Sequence, residues 1–95
     1  MIRSFADGDT EKLFNSGRVR RFPSEILDRA RKKMLVLHRA ANLEDMRRPP
    51  ANRLEALRRD REGQYSVRIN DQRRLCFRWA DGNAYDVEVT DYHRG

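Results

Sequence analysis

Apolar residues recur at two different periods along this chain, and the change of period divides it in two. Ile26, Ala30, Met34, Leu37 and Ala41 are spaced by three or four, the spacing of one face of an α-helix. Pro23 suits the first helical position, so the helix is expected to open there and to run to about Ala41. Arg29, Arg31, Lys32 and Arg39 fill its remaining surface. Ahead of it, Asp9 is expected to cap a short helix through Phe14 and Asn15, with Gly17 in the left-handed position that ends it. Met1 to Phe5 alternates weakly, as a strand would. Leu43 to Arg48 adds a turn of helix, which Pro49 and Pro50 stop.

Beyond residue 53 the period drops to two. Leu54 to Arg58 predicts a short strand, and Asp60, Arg61, Glu62 and Gly63 a tight turn. Tyr65, Val67 and Ile69 alternate with Ser66, Arg68 and Asn70. Leu75, Phe77 and Trp79 alternate with Arg74, Cys76 and Arg78. Asp81-Gly82 is a strong hairpin signal, after which Tyr85, Val87 and Val89 alternate with Asp86, Glu88 and Thr90. Helices followed by an antiparallel meander predict an α+β two-layer sandwich, one domain over 1–95, with helices on the apolar face of the sheet and the other face open.

Composition changes this picture in one respect. Leu, Ile, Val and Phe make up only 20 of 95 residues and charged residues 38%, a balance near that of disordered chains; the clean periodicities argue for folding. The net charge of +6 comes from 18 Arg and only 3 Lys against 15 acids. Arginine offers a planar fork that matches phosphate bidentately and stacks on bases, so the excess points to a polyanion. Arg68, Arg74 and Arg78 fall on the open sheet face, on adjacent strands, and form a candidate anion groove. Any one of them alone reads rather as an ordinary solvated side chain of a half-exposed sheet.

Several classes drop out. No apolar run approaches the roughly 20 residues that span a bilayer, and the start, MIRSFADGDTEK, shows no secretory leader. Cys76 is the only cysteine, so no intrachain disulfide can form and a reducing cytoplasm is the expected compartment. His38 and His93 stand far apart, without zinc-ligand spacing, and the five glycines are scattered singly rather than gathered in a phosphate loop. Neither metal nor cofactor is expected.

The chain closes with Thr90-Asp91-Tyr92-His93, directly after the last apolar strand residue. A carboxylate, a phenol and an imidazole at a strand end suit metal-free RNA cleavage. That reaction needs a base for the 2′-hydroxyl, an acid for the leaving 5′-oxygen and cations for the charge building on phosphorus. Arginine cannot be the base, because it stays protonated in proteins; Arg58 and Arg74 therefore fit a phosphate clamp. Spacing alone equally allows a frayed tail in which Tyr92 caps the core. Ideal alternation also puts Asp91 and His93 on the core side and Tyr92 on the open side, so convergence requires the strand to bend or end.

The segments IRSF at 2–5, NRLEALRRDREGQYSVRINDQRRLCF at 52–77 after Pro49 and Pro50, and the terminal DYH closely resemble the HigB toxins of the RelE superfamily. The resemblance spans nearly the whole chain. It implies a bacterial type II toxin with helices packed on a curved sheet, which cleaves mRNA in the ribosomal decoding site without metal. A helix-turn-helix antitoxin of the HigA type would neutralise it, and operator DNA would be met only through that complex.

By the same resemblance, Asp91, Tyr92 and His93 match the family's C-terminal active-site triplet, and Arg74 an arginine that contacts the scissile region. Arg58 stands where some members have a catalytic lysine, Glu55 where some have a histidine, Arg73 where an aromatic residue is usual and Arg59 where glycine is common. The implied roles are Asp91 or Glu55 as base, His93 as acid, Arg58 and Arg74 as clamp, and Tyr92 as a partner for a base. Arg53, Arg68, Arg73 and Arg78 are further expected RNA contacts. Two rivals stand beside this reading. A non-catalytic basic module would bind RNA or ribosome and block translation sterically; a gyrase-poisoning relative is disfavoured by the DYH triplet.

Overall fold

Residues 1–91 are described by a computed structural model. Helix α1 (Gly8–Ser16) starts two residues earlier than its sequence signal. Its cap is Asp7, not Asp9: the Asp7 carboxylate accepts from the Thr10 amide at 2.7 Å and from the Thr10 hydroxyl at 3.1 Å. Thr10 is the third helical residue, whose amide has no partner within the helix, so the oxygen three residues before it does the capping. Asp9 lies inside the first turn, where its charge complements the helix dipole. Gly17 ends the helix as expected, at φ 77°, a conformation that a side chain would strain.

Helix α2 (Ser24–Arg39) buries Ile26, Ala30, Met34 and Leu37, the predicted stripe. Pro23 stands one residue before the helix rather than inside it. The stripe closes on Ala40, not Ala41, because the chain turns extended at Ala40 (ψ 131°) and carries Ala41 out to solvent. A short helix α3 (Glu44–Arg47) buries Met46, and a 3-10 turn at Pro50–Asn52 follows it.

The sheet is four-stranded and antiparallel, in the order β1 (Glu55–Ala56), β2 (Gln64–Arg68), β3 (Arg73–Ala80), β4 (Asn83–Asp91). β1 is shorter than the span Leu54 to Arg58: Glu55 and Ala56 pair with Ser66 and Tyr65, and beyond them the Leu57 amide still donates to the Gln64 carbonyl at 2.8 Å. A 3-10 turn at Arg59–Arg61 precedes the bend at Gly63. Asp81 (φ 52°) and Gly82 (φ 77°) form the tight two-residue turn of the β3–β4 hairpin, both in the left-handed region that matches strand twist.

The strict alternation expected for β4 breaks in its middle. Asp86 and Val87 together face Phe77, a bulge at which Asp86 takes φ 53°. The extra residue reverses parity, so Ala84 rather than Tyr85 joins Val87 and Val89 in the core. Val67, Leu75 and Phe77 complete the apolar face, packed against Leu13, Ile26, Met34 and Leu37. The two-layer α+β architecture is thus the one its periodicities predict. The N-terminal segment forms no full strand. It lies parallel to β4 through bridges Ile2–Ala84 and Phe5–Val87, covering that strand's outer edge. His38 belongs to this arrangement: its Nδ1 accepts from the Ile2 amide at 3.1 Å.

Candidate nucleic-acid interface

The open face of β2, β3 and β4 leads into a cavity of about 550 Å³. Ser66, Arg74, Cys76, Glu88 and Thr90 are its floor, all on polar positions of the strand alternation. Glu55 and Leu57 wall one side, and Arg73 and Asp91 close the strand ends. Arg73 and Asp91 are partners in register across β3 and β4. Asp91 has the parity of Val89, on the helix side, yet it lies at the strand's end and is exposed. Asp91 nonetheless lines the cavity, at the end of β4.

Arg74 is held in place from several sides. Its side chain is only 8% exposed. Nε donates to Ser66 Oγ at 2.7 Å, and Nη2 donates to the Arg53 carbonyl at 2.7 Å. Glu55 Oε1 stands 3.7 Å from Nη2. Arg53 presents that carbonyl from a left-handed backbone (φ 46°) directly after the 3-10 turn. The sequence put Arg74 on an open, solvated face; the structure buries it and fixes its plane, with Nε and Nη2 both donating to protein oxygens.

The other expected residues divide plainly. Glu55, Arg73, Arg74 and Asp91 come together at the cavity. Arg53 contributes its carbonyl to Arg74, with an exposed side chain. Arg58 is exposed and outside the lining. Arg68 and Arg78 lie on the open face beyond the lining, each beside a carboxylate: Arg68 pairs with Asp71, and Arg78 Nε stands 3.3 Å from Asp86. Tyr92 and His93 lie outside the described residues.

Residues not singled out from the sequence complete the site. Arg61 bridges Gln64 and Glu88, each at 3.2 Å, across the cavity floor. Four arginines (Arg21, Arg61, Arg73, Arg74) and three carboxylates (Glu55, Glu88, Asp91) thus line one space. The groove is not uniformly basic; it holds both the cations for a phosphate and carboxylates able to accept a proton. Cys76 Sγ lies 3.3 Å from Thr90 Oγ1, and burial pushes its thiol pKa up despite that contact. Among the described residues, no three of His, Cys, Asp and Glu converge as metal ligands. Ser66, Cys76, Glu88 and Thr90 were findable, being polar positions in phase with Arg74. Arg21 and Phe22 sit in a loop and Arg61 in a one-turn 3-10 segment, where no periodicity marks them.

This fold, helices on one face of a four-stranded antiparallel sheet, is that of the RelE-like toxins. It is shared with a crystal structure of a YafQ mutant from E. coli (TM-score 0.66, 11% identity, 99% of this chain and 97% of that one). It is also shared with the YoeB–YefM complex from Staphylococcus aureus (TM-score 0.61, 17% identity, 98% of each chain). The chain belongs to the HigB-like toxin family, the RelE-like toxin of the type II toxin–antitoxin system HigB, whose model matches residues 3–93. Toxin HigB-1 of Vibrio cholerae is 38% identical over 95 residues, covering 99% of both chains. Endoribonuclease HigB of Proteus vulgaris is 29% identical over 93 residues, covering 98% of this chain and all of that one.

Proposed function

We propose that this toxin is an endoribonuclease that cleaves mRNA in the decoding site of the ribosome, without a metal, and so stops translation. The observation that carries the reading is the rigid Arg74 guanidinium in a cavity shared with Glu55, Arg73 and Asp91. The endoribonuclease named among its relatives supports it.

In this reaction the 2′-hydroxyl attacks the adjacent phosphorus, and the bond to the 5′-oxygen breaks. The products carry a 2′,3′-cyclic phosphate and a free 5′-hydroxyl. Asp91 or Glu55 takes the 2′-proton, and His93 donates a proton to the leaving oxygen. Arg74, with Arg58, stabilises the charge that builds on the phosphoryl oxygens; a donor held in place before the reaction needs no reorganisation during it. Tyr92 stacks on or hydrogen-bonds to a base. Arg53, Arg68, Arg73 and Arg78 contact flanking phosphates.

Neutralisation falls to a helix-turn-helix antitoxin of the HigA type, with operator DNA bound only by the toxin–antitoxin complex. The site of action is the cytoplasm, where the ribosomes are; among the described residues no helix is long and apolar enough to cross a membrane. The decisive experiment is to induce the chain in a bacterium lacking the antitoxin and to map transcript 5′ ends. New 5′-hydroxyl ends within translated regions are expected. Arrested translation with intact transcripts would instead make the protein a non-catalytic, sterically blocking module.

A further inference from the structure

The basic tract Arg18, Arg20 and Arg21 lies between the two main helices, far in sequence from the strands that build the cavity. The fold nevertheless brings Arg21 and Phe22 into the cavity lining beside the strand ends. Phe22 is buried, 7% exposed, and belongs to the hydrophobic core. The Arg21 guanidinium lies over its ring, 4.7 Å from the centroid. Arg21 Nε stands 3.2 Å from an Asp9 carboxylate oxygen, while 55% of the Arg21 side chain is exposed. A planar cation is thereby held on an aromatic ring, with one edge directed to a carboxylate.

We propose that Arg21 is a stacking platform for a nucleobase of the RNA bound in this cavity. A guanidinium has two faces; Phe22 takes one, and the exposed side chain offers the other to a flat π-system. A phosphate at Arg21 would have to approach next to the negative charge of Asp9, whereas a neutral base does not. The Phe22 ring anchors the arrangement in the core, so the platform is set before RNA arrives and little side-chain ordering is required on binding. This subsite rests on the reading of the chain as an RNA-cleaving toxin and adds to it a loop outside the sheet.

The test uses the whole protein and a short single-stranded RNA, 2′-O-methylated to block cleavage, with 2-aminopurine in place of adenine. It is titrated free and on ribosomes programmed with it. Stacking quenches 2-aminopurine fluorescence, so quenching on binding is expected with the parent chain. Arg21→Lys keeps the charge beside Asp9 and removes the plane. It should lose most of the quenching and weaken binding by about 10-fold, since one base–side-chain stack is worth that order, while the salt dependence stays as in the parent. Arg39→Ala, outside the lining, controls for loss of surface charge. Unchanged quenching in Arg21→Lys overturns the proposal, as does its absence from the parent in both arrangements. A salt slope lowered by about 1 in Arg21→Ala but not in Arg21→Lys also overturns it, because Arg21 would then hold a phosphate. Quenching by a parent chain that leaves transcripts intact supports the platform and removes the nuclease reading.

Discussion

Ser66 and Arg74 are joined on adjacent strands by a 2.7 Å hydrogen bond from Nε to Oγ, and both are buried. This contact fixes the plane of the guanidinium before any substrate is present. In Ser66→Ala, Nε loses its acceptor in a buried place, which costs about 1–3 kcal/mol. A denaturant titration should show the loss in the unfolding midpoint. RNA cleavage should fall as well, because the guanidinium then samples orientations that no longer match the phosphate. A variant as stable and as active as the parent would mean that Arg53 and Glu55 hold Arg74 without help.

Asp7 closes a chain of contacts from the first helix to the sheet: it bonds Thr10 twice, and Thr10 Oγ1 accepts from the Val89 amide at 3.2 Å. Asp7→Ala should cost about 0.5–2 kcal/mol as a lost cap. At this chain length each kcal/mol lowers the melting temperature by roughly 4–8 °C. Asp9→Ala should cost less, and the order of the two melting temperatures checks the assignment.

Burial raises the Cys76 pKa above the ordinary thiol value of 9.0, outweighing the Thr90 contact and the nearby Arg61, which act the other way. A raised folded pKa means that folding favours the protonated thiol. The corresponding stability is fully present below the unfolded thiol's pKa and is lost as pH rises through the folded one. The parent should therefore lose stability relative to Cys76→Ala as pH rises above 9.0. A thiol reagent at mildly alkaline pH should also modify the folded protein far more slowly than the urea-unfolded chain. Equal rates would contradict the burial.

RNA binding should weaken with salt, each phosphate contact contributing a slope of about 1. Arg73 lines the cavity, whereas Arg68 and Arg78 each already stand beside a carboxylate, Asp71 and Asp86. Arg73→Ala is expected to lower the slope by about 1, and Arg68→Ala and Arg78→Ala by less. The reverse order would move the RNA from the cavity to the outer sheet face.

His93→Ala should separate chemistry from binding. Loss of a general acid typically slows a reaction by about 10²–10⁴-fold, while ribosome binding, carried by the arginines, persists. Tyr92→Phe, compared at the same salt concentration, distinguishes stacking (small effect) from use of the hydroxyl (large effect). Cleavage by His93→Ala at the parental rate would remove His93 from the mechanism.

What the sequence determined by itself is what depends on local periodicity. The stripe Ile26, Ala30, Met34, Leu37 and the alternations through Val67, Leu75, Phe77 and Val87 specify which faces are buried, because burial of apolar surface follows the geometry of helix and strand directly. The Asp81-Gly82 turn is equally local, since its positive φ angles select the residue types. Arg74 through its phase, and Asp91 through the family motif, were legible as residues that line the cavity. Tertiary structure decided the rest. The bulge at Asp86 placed Ala84 inside and Tyr85 outside, a parity change that strict alternation cannot signal. Contacts between residues distant in the chain set the charge balance of the cavity. Arg61 meets Glu88 across 27 positions, and Arg74 meets the Arg53 carbonyl across 21. They also brought Arg21 and Phe22 from a loop to the mouth of the sheet. Loops carry no repeating pattern, and their side chains are positioned by the packing of the elements they connect, so their place in the site exists only once the helices have docked on the sheet.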